Sequence, residues 1–150
     1  MQSYLHTVLN QDCPTFEVIV VDDGSEDNTH TILEQYSQQD PRLYHTFVPY
    51  GARVISSKKL ALTIGIKAAQ YDYLLLTDAD CRPESRQWIR EMMSGFLPEN
   101  NTIEVVLGYG AYFEKNTLLN SLINYDTCFI GLQYMGMAAA GHPYMGVGRN

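Results

Sequence analysis

The chain has 150 residues, 45% of them hydrophobic and 18% charged, which is ordinary for a globular protein with room for a real core. A formal net charge of -7 argues against a nucleic-acid surface, because neutralising phosphates requires clustered Lys and Arg. No apolar run approaches the ~20 residues needed to cross a bilayer, and the first residues are too polar for a secretory signal.

In chain order, Leu5, Val8 and Leu9 fall at helical spacing between Ser3 and Asn10, ahead of a Gln11-Asp12-Cys13-Pro14 loop. Glu17 to Val21 follows, with four consecutive β-branched residues, and reads as a strand covered on both faces. It runs into Asp22-Asp23-Gly24-Ser25. Asp27 is placed to cap a helix carrying Ile32, Leu33 and Tyr36 to about Gln39. Asp40-Pro41 ends that helix, and Arg42 to Val48 alternates as a strand. After a Pro49-Tyr50-Gly51 loop, Ser56 or Ser57 caps a helix with Leu60, Ile64 and Ala68 on one face. A third strand, Tyr73 to Thr77, ends in Asp78-Ala79-Asp80.

Pro83 sits where a further helix can begin, with Trp88, Ile89, Met92, Met93 and Phe96 as its apolar stripe. Strands are expected again at Glu104–Gly108 and Ala111–Phe113, with Gly108-Tyr109-Gly110 as a kink. A long helix from about Thr117 to Tyr134 precedes the glycine-rich tail. Alternating strands and helices imply an α/β fold with a mostly parallel sheet flanked by helices, and no internal boundary divides residues 1–150.

The chemistry concentrates where strands end in carboxylates, since ligands of open α/β sheets bind at the carboxyl ends of strands. Asp22 and Asp23 can accept from a nucleobase or ribose, and Gly24 permits positive φ and close backbone approach. The plainer alternative is that they cap the next helix. Asp78 and Asp80, two apart on a strand end, can address one ligand group. Hard oxygen donors suit Mg²⁺ or Mn²⁺ bound through one or two carboxylates plus substrate phosphates. Lys58 and Lys59 offer a local basic pocket for a diphosphate, or a solvated helix face.

Three cysteines are too few for a disulfide framework and point to a reducing compartment. Cys81 beside the acidic strand end is either a reactive thiol or a small packed residue. Four scattered histidines lack zinc spacing, and neither a nucleophile elbow nor a P-loop occurs. Tyr125 and Tyr134 fit core packing or a sugar-stacking platform, and Asp126 fits solvent or an acceptor cleft.

Five segments, taken together in order and spacing, resemble the family 2 glycosyltransferases. They are Gln11 to Pro14, Val20-Val21-Asp22-Asp23-Gly24-Ser25-Glu26-Asp27, the helix from Lys59 to Ala69, Thr77-Asp78-Ala79-Asp80-Cys81-Arg82-Pro83, and the Gly146-x-Gly148-x-Asn150 tail. The resemblance implies a GT-A fold and transfer of a sugar from a nucleotide-diphosphate sugar, a UDP-sugar above all, with Mn²⁺ or Mg²⁺ and inversion at the anomeric carbon. It places Asp23 at the base with Asp22 and Gly24 beside it, Asp78 near ribose and diphosphate, and Asp80 on the metal. Lys59 falls near the nucleotide, and Gly146, Gly148 and Asn150 form the loop under sugar and acceptor.

The acceptor it implies is a carbohydrate or a lipid-linked molecule, in polysaccharide or cell-envelope synthesis. The implied setting is the cytoplasm, or the cytoplasmic face of a membrane that holds the parent protein. Relatives of this type open with a central strand that this chain starts after. They also carry an acidic general base beyond the position of Asn150. The expectation is therefore one GT-A domain truncated at both ends and not catalytic alone. A sugar nucleotidyltransferase and a non-catalytic nucleotide-binding module stay open as alternatives.

Overall fold

The computed structural model describes residues 2–49, 57–96 and 103–146. The described elements are α1 (Gln2–Leu9), β1 (Val18–Asp22), α2 (Thr29–Gln39), β2 (Leu43–Phe47), α3 (Ser57–Ala68), α4 (Trp88–Ser94) and α5 (Leu118–Ala139). The chain divides into two compact units. The first comprises Met1–Leu75 and Arg82–Glu91, the second Leu76–Cys81 and Met92–Asn150.

In the first unit β1 and β2 pair in parallel, from Val18 opposite Leu43 to Asp22 opposite Phe47. Parallel strands need a crossover, and α2 supplies it. Val18 and Val20 pack on a core of Leu5, Leu9, Leu33 and Leu43, with Leu33 fully buried. Side chains alternate along a strand, so Val21 points to the other face. There α3 approaches, with Gly65 against Val21. Helices thus cover β1 on both faces, as its unbroken β-branched run requires.

Two polar clusters fix the corners of this unit. The Arg42 guanidinium grips Asp40 through Nε to Oδ1 at 2.9 Å and Nη2 to Oδ2 at 2.7 Å. It also donates to the Leu9 carbonyl at 2.9 Å and lies 4.6 Å from the Phe16 ring centroid. That grip holds the Asp40 carboxyl below its ordinary range: the hydrogen bond from Arg42 outweighs desolvation. Gln11 is buried with every polar atom used. Its Nε2 donates to Thr7 and Ser85 carbonyls at 3.0 and 2.9 Å, and its Oε1 accepts from Ile89 N at 3.3 Å.

The strands expected at Tyr73–Thr77, Glu104–Gly108 and Ala111–Phe113 are not formed; the sheet of the described residues holds β1 and β2 alone. An apolar run reports where side chains prefer to be, whereas a strand exists only through a ladder with a neighbour. α4 likewise starts at Trp88 rather than near Pro83. Ser85 Oγ accepts from Gln87 N at 3.2 Å and Gln11 takes Ile89 N, so the segment before Trp88 is spent on turns. Its apolar stripe is only partly buried.

The second unit is built around α5. Thr117 caps it, its side chain accepting from Asn120 N at 3.2 Å. Asn120 in turn donates to Phe113 O at 3.1 Å and accepts from Lys115 N at 2.6 Å. Further along, Gly131 lies under the Tyr109 ring, and the Tyr134 hydroxyl donates to Gly108 O at 3.1 Å. The packed face of α5 therefore uses small, amide and phenol side chains. Leu118, Leu122, Tyr125, Phe129 and Leu132 share the exposed face, with Leu118 at 80% and Tyr125 at 71% exposure. Tyr125 stacks on Phe129 with centroids 6.3 Å apart. Tyr134 is thus a packing residue, while Tyr125 and Asp126 face solvent. No helix among the described residues is long and apolar enough to cross a membrane.

Candidate functional site

The end of β1 is a preformed corner. Asp22 Oδ1 accepts from Gly24 N at 3.1 Å, Ser25 N at 2.8 Å and Ser25 Oγ at 2.7 Å. Gly24 has φ of 87°, where a side chain would be strained, so glycine is required by the turn. Desolvation pushes the Asp22 carboxyl up, but the Ser25 hydroxyl and the backbone N–H groups of Ser25 and Gly24 outweigh it. The group is held below the ordinary carboxylate value. Asp22 is therefore the anchor of the turn, and Asp23 beside it is exposed. Asp27 does not cap α2 as expected: the N-cap is Asn28, which makes no side-chain cap bond. Asp27 still serves the helix start, because its Oδ1 accepts from Thr29 N at 3.0 Å.

Lys59 stands exposed in the first turn of α3. It shares the first unit with Asp22, Asp23 and Gly24. Asp78, Asp80 and Gly146 belong to the second unit. Gly148 and Asn150 lie outside the described residues, as does Ser56.

The second acidic pair does not extend a strand. Cys81 N donates to Asp78 O at 3.0 Å, which closes a four-residue turn over Asp78-Ala79-Asp80-Cys81. The pair is carried by turn geometry, and strand alternation no longer describes how the two carboxylates relate. Asp80 is exposed and Asp78 half-buried. The Cys81 thiol, free and half-buried, donates to Asp80 Oδ1 at 3.9 Å. Among the described residues no group of three or more His, Cys, Asp or Glu is gathered to hold a metal ion. Sequence reasoning passed over Thr77, whose Oγ1 is buried without a hydrogen-bond partner just before this turn. It lies inside the Thr77–Pro83 segment, but that segment gives its hydroxyl no role, since the signal is the missing partner itself.

A β-α-β unit with helices on both faces of β1, and carboxylates where β1 ends, defines an α/β protein. The match to known proteins is narrower. The model described as Glycosyl transferase family 2 covers residues 1–136. The chain belongs to that family, and with it to the GT-A fold class.

Among its relatives is a chondroitin synthase of Pasteurella multocida, 29% identical over 69% of this chain and 10% of the relative. Another is a poly-beta-1,6-N-acetyl-D-glucosamine synthase of Staphylococcus epidermidis, 36% identical over 53% of this chain and 18% of the relative. A dolichyl-phosphate beta-glucosyltransferase of Mus musculus is 29% identical over 77% of this chain and 36% of the relative. The chain thus spans from about a tenth to about a third of the length of these relatives. No solved structure is matched.

Proposed function

We propose that this chain is the nucleotide-binding portion of a glycosyltransferase that moves a sugar from a nucleotide-diphosphate sugar, a UDP-sugar in the first instance, to an acceptor hydroxyl. Family membership carries the reaction class, and it displaces the nucleotidyltransferase reading. The observation that carries the site is the corner at the end of β1. Asp22 spends one carboxylate oxygen on holding the turn, and the exposed Asp23 is set beside that fixed turn. We assign Asp23 to the base, Asp22 and Gly24 to shaping its approach, and Lys59 to the diphosphate. Residues 1–150 form one GT-A domain in this reading.

The donor set of the Asp78–Cys81 turn fits Mg²⁺ or Mn²⁺. Two carboxylates within one short turn are hard oxygen ligands, and with no cluster of three or more among the described residues, phosphate oxygens and water would complete the shell. Asp80 would hold the ion and Asp78 would share it while facing ribose and diphosphate. The ion would supply Lewis-acid neutralisation of the departing diphosphate. The protein residues position donor and acceptor so that the hydroxyl, giving its proton to a general base, attacks opposite the departing nucleotide diphosphate, which inverts the anomeric carbon. Gly146, Gly148 and Asn150 are assigned to the sugar and acceptor loop.

Two relatives are named for polysaccharides and one for dolichyl phosphate, a lipid phosphate. They support a carbohydrate or lipid-linked acceptor here; the setting we propose is the cytoplasm or the cytoplasmic face of a membrane. Calorimetry with UDP, with and without Mn²⁺, tests the reading. Mn²⁺-dependent binding that weakens sharply in Asp80→Asn is expected. Equal affinity of the two proteins in Mn²⁺ removes Asp80 from the metal. Binding without turnover of any donor, in the full-length protein, would reduce the chain to a non-catalytic module.

A further inference from the structure

Two buried side-chain atoms among the described residues have no hydrogen-bond partner, Oε2 of Glu17 and Oγ1 of Thr77. Glu17 is already anchored, because its Oε1 accepts from Gln70 N at 2.7 Å. It also precedes β1, at the end of the strand remote from Asp22. Thr77 has no such anchor. It closes the apolar run Tyr73-Leu74-Leu75-Leu76 and leads directly into the turn that carries Asp78 and Asp80.

An isolated buried hydroxyl is unfavourable, and valine has the same shape without it. Nothing in the apolar run calls for a hydroxyl at this position. The groups that follow it are two carboxylates and the backbone of their turn. A hydroxyl unpaired in this arrangement of the turn can gain a partner only if the turn changes. The atom is itself inaccessible, so a ligand meets it only through that turn.

We propose that Thr77 is a positioning residue for the Asp78–Asp80 turn, an inference that rests on the function proposed above. When a divalent cation and a nucleotide diphosphate draw on the two carboxylates, the turn adjusts and the Thr77 hydroxyl donates to it. That hydrogen bond exists only in the liganded arrangement, so it adds to affinity and not to the stability of the free protein.

The test compares Thr77→Val and Thr77→Ser with wild type by thermal unfolding without ligand and by calorimetric titration of UDP in Mn²⁺. Thr77→Val is expected to unfold at the wild-type temperature or above it, while its affinity for UDP in Mn²⁺ falls roughly two- to tenfold. Thr77→Ser, which keeps the hydroxyl, is expected to restore most of that affinity. Wild-type affinity in Thr77→Val overturns the inference alone. So does a lowered unfolding temperature in the free Thr77→Val protein, which would mean the hydroxyl is already bonded in the fold. Equal loss in Thr77→Ser also overturns it. A wild-type protein that binds no UDP in Mn²⁺ overturns the proposed function, and this inference with it.

Discussion

Gly65 of α3 lies so close to Val21 of β1 that a Cβ on Gly65 would stand 3.3 Å from Val21 Cγ2. The contact sets how near α3 comes to the strand whose next residue is Asp22. Gly65→Val adds a branched side chain where a Cβ alone is already crowded. Overpacking of this kind costs about 1–3 kcal/mol. Urea unfolding should show a lowered midpoint of that size, and an unchanged midpoint would mean that α3 can retreat freely from β1.

Asp22→Ala removes the acceptor of three hydrogen bonds in one turn. Net loss of one such hydrogen bond costs about 0.5–1.5 kcal/mol, so the variant should lose at least that much. Asp22→Asn keeps an acceptor oxygen without the charge, so its loss should be smaller. Thermal unfolding of the two variants beside wild type decides whether Asp22 acts as the anchor described.

The same residue gives a pH dependence with a defined sign. Its folded-state pKa lies below the ordinary 3.8, so its contribution is fully present above the unfolded value and is lost as pH falls through the folded one. The stability difference between wild type and Asp22→Asn should therefore hold from neutrality down to about pH 5 and shrink as pH falls below 3.8. Urea midpoints across that range provide the check. A difference that grows on acidification would contradict the direction of the shift.

If Asp23 contacts the base and Asp80 the ion, their variants should part company on a ligand without phosphate. Asp23→Ala is expected to weaken binding of uridine and of UDP alike. Asp80→Asn should spare uridine, which brings no phosphate for the metal to bridge. Parallel titrations with the two ligands measure this, and equal loss of uridine binding in both variants would end the proposed division of labour.

Gly131 on α5 is packed under Tyr109, whose ring atoms would lie 2.7 and 2.8 Å from an added Cβ. Alanine would ordinarily favour a helix over glycine by about 1 kcal/mol. Here the methyl must displace a ring, so Gly131→Ala should destabilise. At Gly136, on the same helix, a Cβ meets nothing within 4 Å, and Gly136→Ala should stabilise. Opposite signs in thermal unfolding would confirm that packing overrides propensity at Gly131.

How much of this was legible in the sequence depends on whether the cause is local. β1 and the helices α1, α2, α3 and α5 could be read because periodicity and β-branching act within a few residues. The positive φ of Gly24 followed from the Asp-Gly-Ser turn in the same way. The ladder missing at Tyr73–Thr77 could not be read, because pairing belongs to two segments and the apolar pattern to one. The turn at Asp78–Cys81 was hidden for a related reason: the same residues suit a strand end and a turn. Gly65 and Gly131 carry no local mark, Thr77 carries only its place before the acidic pair, and their meaning comes from Val21, Tyr109 and an absent partner. Asp22 was the reverse case. Its sequence setting allowed a ligand or a helix cap, and the fold adds a further role, since three donors to one oxygen make it the anchor of its own turn.

The crossover from β1 through α2 to β2 has a kinetic consequence. Among the described residues, Leu33 is the one wholly buried where α2 meets the paired strands. A parallel pair cannot begin from a hairpin, so its strands meet only after the intervening chain has folded back. The step that seats Leu33 and the step that pairs Val18 with Leu43 must then be nearly the same event. Leu33→Ala, which should cost about 2–5 kcal/mol at equilibrium, would express that cost mainly as slower folding. In a stopped-flow chevron the folding arm should drop and the unfolding arm stay nearly still, making α2 the pacemaker for the strand that presents Asp22 and Asp23.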